Sequence, residues 1–183
     1  PKTIEKKRFH GSLFQGIFEN LKFAESKTEY DYFLVLSARS FFFKKLDSET
    51  INSFYDHAKC YGAYNIDYYP KTEQDWKEWP PQMWENHINS DFYSFLQENK
   101  FNFQKGMHEG LLLTKKNGED IISFFDKNED LYKSVINTFN PMEEVVIQSL
   151  LLNWQKFTTI MGVWPGTEDN PDVIGKKYIC KRY

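Results

Sequence analysis

Two adjacent glutamates stand at the start of an apolar run, in the stretch FNPMEEVVIQSLLLNW (139–154). Asn140 suits a helix N-cap, Pro141 suits the first helical position, and Glu143 follows at the third position. This spacing is that of a capping box, in which the glutamate side chain bonds back to the start of the helix. General-base catalysis also needs a carboxylate with a fixed orientation, which a helix start provides. The spacing alone favours a cap, and it leaves a catalytic role for Glu143 open.

A histidine and a glutamate are neighbours in GMHEGLLLTKK (106–116), directly before a short apolar run. A zinc protease of the His-Glu-x-x-His type needs a second histidine four residues after the first, and that position holds Leu112. His108 and Glu109 are therefore either polar residues at the entrance of a strand or part of a site completed from elsewhere. The sequence has no Gly-rich phosphate loop, no Asp-x-Asp pair for a divalent ion and no nucleophile elbow.

Two further clusters fit recognition of a substrate. Trp76, Trp79 and Trp84 flank a Pro-Pro pair, and they form either core beneath a long loop or a platform on which a sugar ring stacks. A basic cluster ends the chain after a Gly- and Pro-rich segment, and it is either a solvated tail or a group of cations that neutralises a diphosphate. Its members are Lys176, Lys177, Lys181 and Arg182.

Length and composition are those of a single domain over residues 1–183, long enough to bury a sizeable core. A net charge of −3 argues against a surface that binds duplex nucleic acid, which needs an excess of Lys and Arg. No apolar run approaches the roughly 20 residues that span a bilayer, so we expect no transmembrane segment. The only cysteines, Cys60 and Cys180, suit the reducing cytoplasm. Since the chain starts at Pro1, we expect an upstream part to be missing.

Strand and helix patterns alternate along the chain, which predicts an α/β fold. Short apolar runs rich in β-forming residues predict buried strands at 31–37 and 110–114, and a further strand at 64–70. Residues 71–90 have no regular pattern. Periodic apolar residues and caps predict helices over 13–25, from Asp47 or Ser48 to about 58, over 90–99, over 117–139 with a break near Lys127–Asn128, and over 140–154.

Taken in order, four stretches resemble blocks of the core-2/I-branching N-acetylglucosaminyltransferase and peptide O-xylosyltransferase superfamily. HGSLFQGIFENLKFA (10–24) resembles its Trp-Gly-Gly-x-Ser-Leu block, and YDYFLVLSARSFFFK (30–44) resembles its Leu-Ser-x-x-Asp block. GMHEGLLLTKK (106–116) resembles its Gly-Ser-(Asp or Ala) block, and NPMEEVVIQSLL (140–151) resembles its Pro-(Asp or Ala)-Glu block. The four blocks keep the family's order and spacing.

The resemblance implies a GT-A-like glycosyltransferase fold, a mixed sheet flanked by helices, of which this chain is the C-terminal portion. It implies an inverting transfer from a nucleotide-sugar donor to a glycan or other hydroxyl acceptor, with neither metal nor cofactor. The base of the branching enzymes falls on Glu143, and the acidic residue implicated in the xylosyltransferases falls on Glu109. In this context we expect Glu143 to be the base, and the basic end to bind the nucleotide diphosphate. The residues expected to bind substrate are Ser37, Arg39, Ser40, His108, Trp76, Trp79 and Trp84.

The chain departs from the family pattern in the Leu-Ser block, where Ser40 replaces an Asp and Phe42 replaces a Pro. Both changes bear on acceptor recognition. The family also carries an upstream part of a nucleotide-binding fold, which this sequence lacks, so we expect either that the chain is the later part of a longer enzyme or that its donor site is reduced. Few cysteines and a composition rich in Lys, Asn, Phe and Tyr are typical of a bacterial or viral member that builds surface polysaccharides. The alternative is a non-catalytic carbohydrate-binding or protein-interaction module derived from the same fold.

Overall fold

The computed structural model describes residues 10–27, 29–36, 40–42, 47–49, 81–104, 108, 110–154, 159–160, 163–164 and 179–181. Helices dominate this part of the chain and short strands form two small sheets, so the class is loosely α/β. The helices are α1 (Ser12–Lys27), α2 (Pro81–Ile88), α3 (Asp91–Glu98), α4 (Lys115–Lys127), α5 (Glu129–Asn137) and α6 (Val146–Asn153). The strands are β1 (Tyr32–Leu34), β2 (Ser40–Phe42), β3 (Leu111–Thr114), β4 (Thr159–Ile160), β5 (Val163–Trp164) and β6 (Ile179–Lys181). None of these helices is long and apolar enough to cross a membrane.

The first sheet has the order β1-β3-β4, and its neighbouring strands are antiparallel. Leu111, Leu112 and Leu113 of the central strand are at most 1% exposed, which is typical of a strand covered on both faces. The second sheet has the order β2-β6-β5, in which β2 is antiparallel and β5 is parallel to β6. The first sheet matters most for the candidate site, because the loop before β3 carries His108.

The core is built largely from aromatic rings. α1 buries a stripe of Phe14, Ile17, Phe18 and Leu21, whose spacing places them on one side of the helix. This stripe packs against α4 and α5, where the ring centroid of Phe125 lies 5.3 Å from that of Phe14 and 5.5 Å from that of Phe18. Such separations are typical of favourable tilted and edge-to-face contacts.

Gly11 brings the start of α1 against the end of α5. Its N–H donates to the carbonyl of Thr138 over 2.9 Å. A Cβ at this position would lie 1.9 Å from the carbonyl oxygen of Val135, so only glycine permits the two backbones to approach so closely. The contact holds the chain where it leaves α5 and turns towards α6.

Several expectations about local structure are confirmed. α1 matches the helix expected over 13–25, and β3 matches the strand expected over 110–114. Ser90 caps α3, because its hydroxyl accepts from the N–H of Tyr93 over 3.2 Å. The helical stretch 117–139 consists of two helices that meet at Asn128, next to the predicted break.

The last helix is shorter than predicted. Instead of one helix over 140–154, a 3₁₀ turn occupies Met142–Glu144 and α6 starts only at Val146. Between them Val145 has φ −126° and ψ −34°, outside the usual range of a helix. Val145–Ile147 are three β-branched residues in a row, which favour a helix only weakly. Met142 and Val145 are fully buried, so tertiary packing sets the start of the helix.

Two other expectations differ from the structure. Residues 81–88, in a stretch predicted to be irregular, form α2. The buried strand predicted at 31–37 covers only Tyr32–Leu34 and is half-buried, because β1 is an edge of its sheet. The strand predicted at 64–70, and the predicted helix beyond residue 49, lie outside the described residues.

Candidate functional site

The turn between α5 and α6 holds two adjacent glutamates on a tightly hydrogen-bonded backbone. The N–H of Met142 donates to the carbonyl of Asn140 over 2.8 Å, and the N–H of Glu144 donates to that of Pro141 over 3.1 Å. Met142 is fully buried. These two hydrogen bonds and the buried Met142 side chain therefore fix the backbone that carries Glu143 and Glu144.

Glu143 is almost completely buried, with 2% of its surface exposed. Its Oε2 has no hydrogen-bond partner among the described residues. Burial is the main cause that raises the pKa of the carboxyl to about 8; a hydrogen bond from the backbone N–H of Glu143 itself opposes this rise, and the charge of Glu144 adds to it. Such a carboxyl exchanges its proton near neutral pH, where an ordinary glutamate stays ionised.

The capping box predicted at this position is wrong. Neither the 3₁₀ turn, which starts after Pro141, nor α6, which starts after Val145, has a side-chain hydrogen bond at its N-cap. The backbone N–H of Asn140 donates instead to the carbonyl of Thr138 over 3.0 Å. Glu143 is therefore not a helix cap, and its burial needs another explanation.

His108 is positioned by the backbone at the start of β3. Its carbonyl accepts from the N–H of Leu111 over 3.2 Å. The N–H of Gly110 donates to the carbonyl of Val35 over 2.8 Å, and the N–H of Val35 donates to that of Leu111 over 2.9 Å. Gly110 has φ 83°, in the left-handed region that favours glycine. These contacts fix the half-buried His108 relative to the first sheet.

His108, Glu143 and Glu144 come together although they are far apart in the chain. One atom of each, a ring nitrogen or a carboxylate oxygen, lies within 4.8 Å of the other two. We refer to these three side chains as the His-Glu-Glu cluster. The sequence pattern pointed to His108 and Glu143 but not to Glu144, whose one signal is its position beside Glu143.

Polar side chains of α6 anchor this helix to residues 102–104. The hydroxyl of Ser149 accepts from the N–H of Gln104 over 2.9 Å and donates to the carbonyl of the same residue over 3.1 Å. Asn153 makes the corresponding pair of hydrogen bonds with Asn102, at 2.8 and 2.7 Å. These bonds fix the position of α6, and with it the turn that precedes the helix. No sequence motif pointed to Ser149 or Asn153.

The structure describes only some of the remaining predicted site residues. Ser40 is the first residue of β2 and is paired in register with Lys181 of β6. This pairing places Ser40, from the block that resembles the family's Leu-Ser block, opposite one of the four basic residues at the end of the chain. Trp84 lies in α2 and not in a long loop. The residues outside the described part of the chain are Ser37, Arg39, Trp76, Trp79, Glu109, Lys176, Lys177 and Arg182.

Two open cavities are lined by residues other than the His-Glu-Glu cluster. One, of about 640 Å³, opens beside Thr114, Lys115 and Lys116 at the start of α4. The other has a volume of about 290 Å³ and combines aromatic with polar side chains. Its lining is formed by Asp120, Ser123, Phe124, Lys127, Asn128 and Trp154.

The chain matches no protein-family model, no curated protein and no solved structure. The His-Glu-Glu cluster offers a buried carboxyl that can take up or release a proton near neutral pH, next to the imidazole of His108.

Proposed function

We propose that the protein is an inverting glycosyltransferase in which Glu143 is the general base. The observation that carries the proposal is the buried carboxyl of Glu143, whose Oε2 lacks a hydrogen-bond partner among the described residues. An unpaired buried polar atom costs roughly 1–3 kcal/mol of stability, which a functional role would explain. The hydroxyl of an acceptor that enters the site would be the missing partner.

The proposed reaction is a direct displacement at the anomeric carbon of a nucleotide sugar. Oε2 of Glu143 accepts the proton of the acceptor hydroxyl as the hydroxyl oxygen forms a bond to the anomeric carbon. The bond between the anomeric carbon and the diphosphate oxygen breaks, and the diphosphate leaves with the electron pair. The products are the inverted glycoside, a nucleoside diphosphate and protonated Glu143, which then passes its proton to His108 or to water. A carboxyl with a pKa of about 8 holds the transferred proton better than an ordinary glutamate.

In the proposed reaction the basic residues at the end of the chain bind the diphosphate of the donor. A reaction without a metal has to meet the growing charge of the diphosphate with cationic side chains or backbone N–H groups. The register that sets Lys181 opposite Ser40 supports a donor site beside the stretch that resembles the Leu-Ser block. The same proposal includes a GT-A-like fold, metal-independent transfer to a glycan, and a cytoplasmic enzyme of polysaccharide synthesis.

A second candidate function is a non-catalytic carbohydrate-binding module. One observation favours it: the cavity of about 290 Å³ contains the rings of Phe124 and Trp154, whose centroids are 5.4 Å apart, beside polar side chains. A sugar stacks its apolar face on an aromatic ring and bonds its hydroxyls to polar neighbours. If this cavity is the binding site, Trp154→Ala abolishes glycan binding, whereas Glu143→Gln leaves it unchanged.

Turnover by a Glu143 variant tests the enzyme proposal. Nucleotide sugars are first screened for thermal stabilisation of the protein, and the best donor is then offered with a panel of glycan acceptors. Glu143→Gln removes the base with little change in size, so turnover should fall on the order of 10²-fold or more. The matched control is Glu98→Gln on the exposed side of α3, which should keep the wild-type rate. An unchanged rate for Glu143→Gln would exclude Glu143 as the base and make Glu109 the candidate.

A further inference from the structure

The His-Glu-Glu cluster offers a set of atoms that metal ions bind. It combines a ring nitrogen of His108 with carboxylate oxygens of Glu143 and Glu144, and one such atom of each residue lies within 4.8 Å of the others. One imidazole with two carboxylates suits divalent ions of the first transition series, of which Zn²⁺ binds nitrogen and oxygen at about 2.0–2.2 Å. Proximity alone does not make a metal site, because exposed acidic clusters are common without an ion.

Glu143 is also buried with one carboxyl oxygen that no described residue bonds. The residue is 2% exposed, and its Oε2 has no hydrogen-bond partner among the described residues. Buried polar atoms in native proteins are nearly always paired, and an unpaired one calls for an explanation such as a bound ion. A cation coordinated by this carboxylate would satisfy the oxygen, and it would also offset the repulsion between two adjacent carboxylates.

We propose that His108, Glu143 and Glu144 bind a divalent transition-metal ion of the Zn²⁺ class. Around a tetrahedral ion with bonds of about 2.0 Å, two ligand atoms lie about 3.3 Å apart. The three atoms already lie within 4.8 Å of one another. Each therefore has to move by no more than about 1 Å to reach that arrangement.

Three protein ligands leave at least one position of a tetrahedral ion open, as in zinc sites that also bind a water or substrate oxygen. The consequence for activity rests on the proposed function, whereas ion binding itself does not. A carboxylate coordinated to a cation cannot accept the proton of an acceptor hydroxyl. The ion would therefore inhibit sugar transfer by occupying the base, which agrees with a reaction that needs no metal.

Calorimetric titration of the chelator-treated chain with Zn²⁺ tests the site. We expect one ion per chain and a rise in Tm with Zn²⁺ concentration, because only the folded chain brings the three ligands together. Mg²⁺ prefers an octahedral shell of oxygen ligands and should bind much more weakly. If the wild-type chain binds no Zn²⁺, the proposal is wrong.

Variants of the two half-buried ligands identify the site. His108→Ala and Glu144→Gln should each weaken Zn²⁺ binding by at least roughly 10–100-fold, the loss typical when a residue that supports a metal ligand is removed. Glu144→Asp keeps the carboxylate and should bind Zn²⁺ more tightly than Glu144→Gln, a difference that a purely structural role would not produce. Glu98→Gln is the matched surface control and should bind as the wild type does. Wild-type affinity in both His108→Ala and Glu144→Gln would overturn the proposal.

Two further measurements separate a loss of the ion site from misfolding of a variant and from failure of the proposed function. Circular dichroism establishes that each variant is folded, and His108→Asn, which has a side chain of similar size, replaces His108→Ala if that variant unfolds. Zn²⁺ binding without turnover of any nucleotide sugar would remove the proposed function and leave the ion site. Turnover without Zn²⁺ binding would remove the ion site and leave the proposed function.

Discussion

The contact of α1 with α4 and α5 and the turn before α6 are both deeply buried, but they bury different chemistry. In the first region the rings of Phe14, Phe18 and Phe125 pack against one another. In the second region Met142 is 0% and Glu143 is 2% exposed. One oxygen of the Glu143 carboxyl has no partner among the described residues, whereas the packed rings have no polar atom that needs one.

The two regions therefore have opposite effects on the stability of the fold. Packed rings stabilise the fold, because burial of apolar surface contributes roughly 25 cal/mol per Å². A buried carboxyl without a full set of hydrogen bonds destabilises it. The turn is held by its apolar neighbour Met142 and by the hydrogen bonds of Ser149, so the helical core and α6 support a site that is unfavourable by itself.

The largest expected effect comes from breaking the first region with Gly11→Ala. The new Cβ would lie 1.9 Å from the carbonyl oxygen of Val135 and 2.9 Å from the Cα of Ile136, and neither backbone atom can rotate away. α1 and α5 would have to separate. We expect the free energy of unfolding to fall on the order of 4 kcal/mol or more, as measured by urea denaturation.

Gly118→Ala in α4 is the matched control for this prediction. Its Cβ would meet side-chain atoms only, Cδ1 of Leu21 at 3.0 Å and the hydroxyl oxygen of Tyr30 at 3.1 Å. Alanine also favours a helix over glycine by about 1 kcal/mol. The two effects oppose each other, so stability should change by about 1 kcal/mol or less. Equal losses in the two variants would show that the close approach at Gly11 does not hold α1 on α5.

The second region is tested by the pH dependence of stability. The pKa of Glu143 rises from its ordinary value of 4.5 to about 8 on folding, so the folded chain binds the proton more tightly than the unfolded chain. The resulting stabilisation is fully present below pH 4.5 and is lost as the pH rises through about 8. At about 1.4 kcal/mol per pKa unit, the loss between pH 4.5 and 8 is on the order of 4 kcal/mol, because the carboxyl is only half titrated at each end of this window.

Glu143→Gln is the variant that isolates this contribution. It keeps the size of the side chain and removes its titration, while Glu144 and His108, which face the same carboxyl, are retained. Urea denaturation between about pH 5 and 8 should show the stability of the wild type falling relative to that of the variant. Parallel curves would mean that the carboxyl of Glu143 is ionised at its ordinary pKa and that the contrast between the two regions is absent.

The smallest expected effect concerns the hydrogen bonds that anchor α6. Ser149→Ala leaves the N–H and carbonyl of Gln104 without the hydroxyl that they bond, inside a buried contact. We expect a loss of about 1–2 kcal/mol in the free energy of unfolding, measured by thermal denaturation. Asn153→Ala removes the corresponding pair with Asn102 at an exposed position, where water replaces it, so its effect should be smaller. A larger loss in Asn153→Ala would contradict the assignment of Ser149 as the main anchor.

Much of the local structure could be predicted because its signals are local. Ser90 caps α3 through the next turn, the break between α4 and α5 falls at Asn128, and the run Leu111–Leu113 forms a buried strand. Each of these features depends on residues a few positions apart, for which periodicity and capping chemistry are sufficient.

The candidate site could be predicted only in part. His108 and Glu143 stand out in the sequence, but their meeting depends on the turn at Gly110 and on the start of α6, which are far apart in the chain. Nothing in the sequence marks Glu144 except its position next to Glu143. The family resemblance, the GT-A-like fold, the transfer reaction and the role of Glu109 stay predictions.

By itself the sequence determined α1, α3, α4, α5, the central strand β3 and the presence of a carboxylate at residue 143. The tertiary structure decided where the last helix begins. A helix cap contributes about 1 kcal/mol, whereas full burial of a side chain such as Met142 or Val145 contributes about 1.5–3 kcal/mol. Both of these side chains are fully buried, and the larger contribution prevails over the cap. The backbone forms a 3₁₀ turn in which Met142 and Val145 are buried, and Glu143, which lies between them in the sequence, is buried as well.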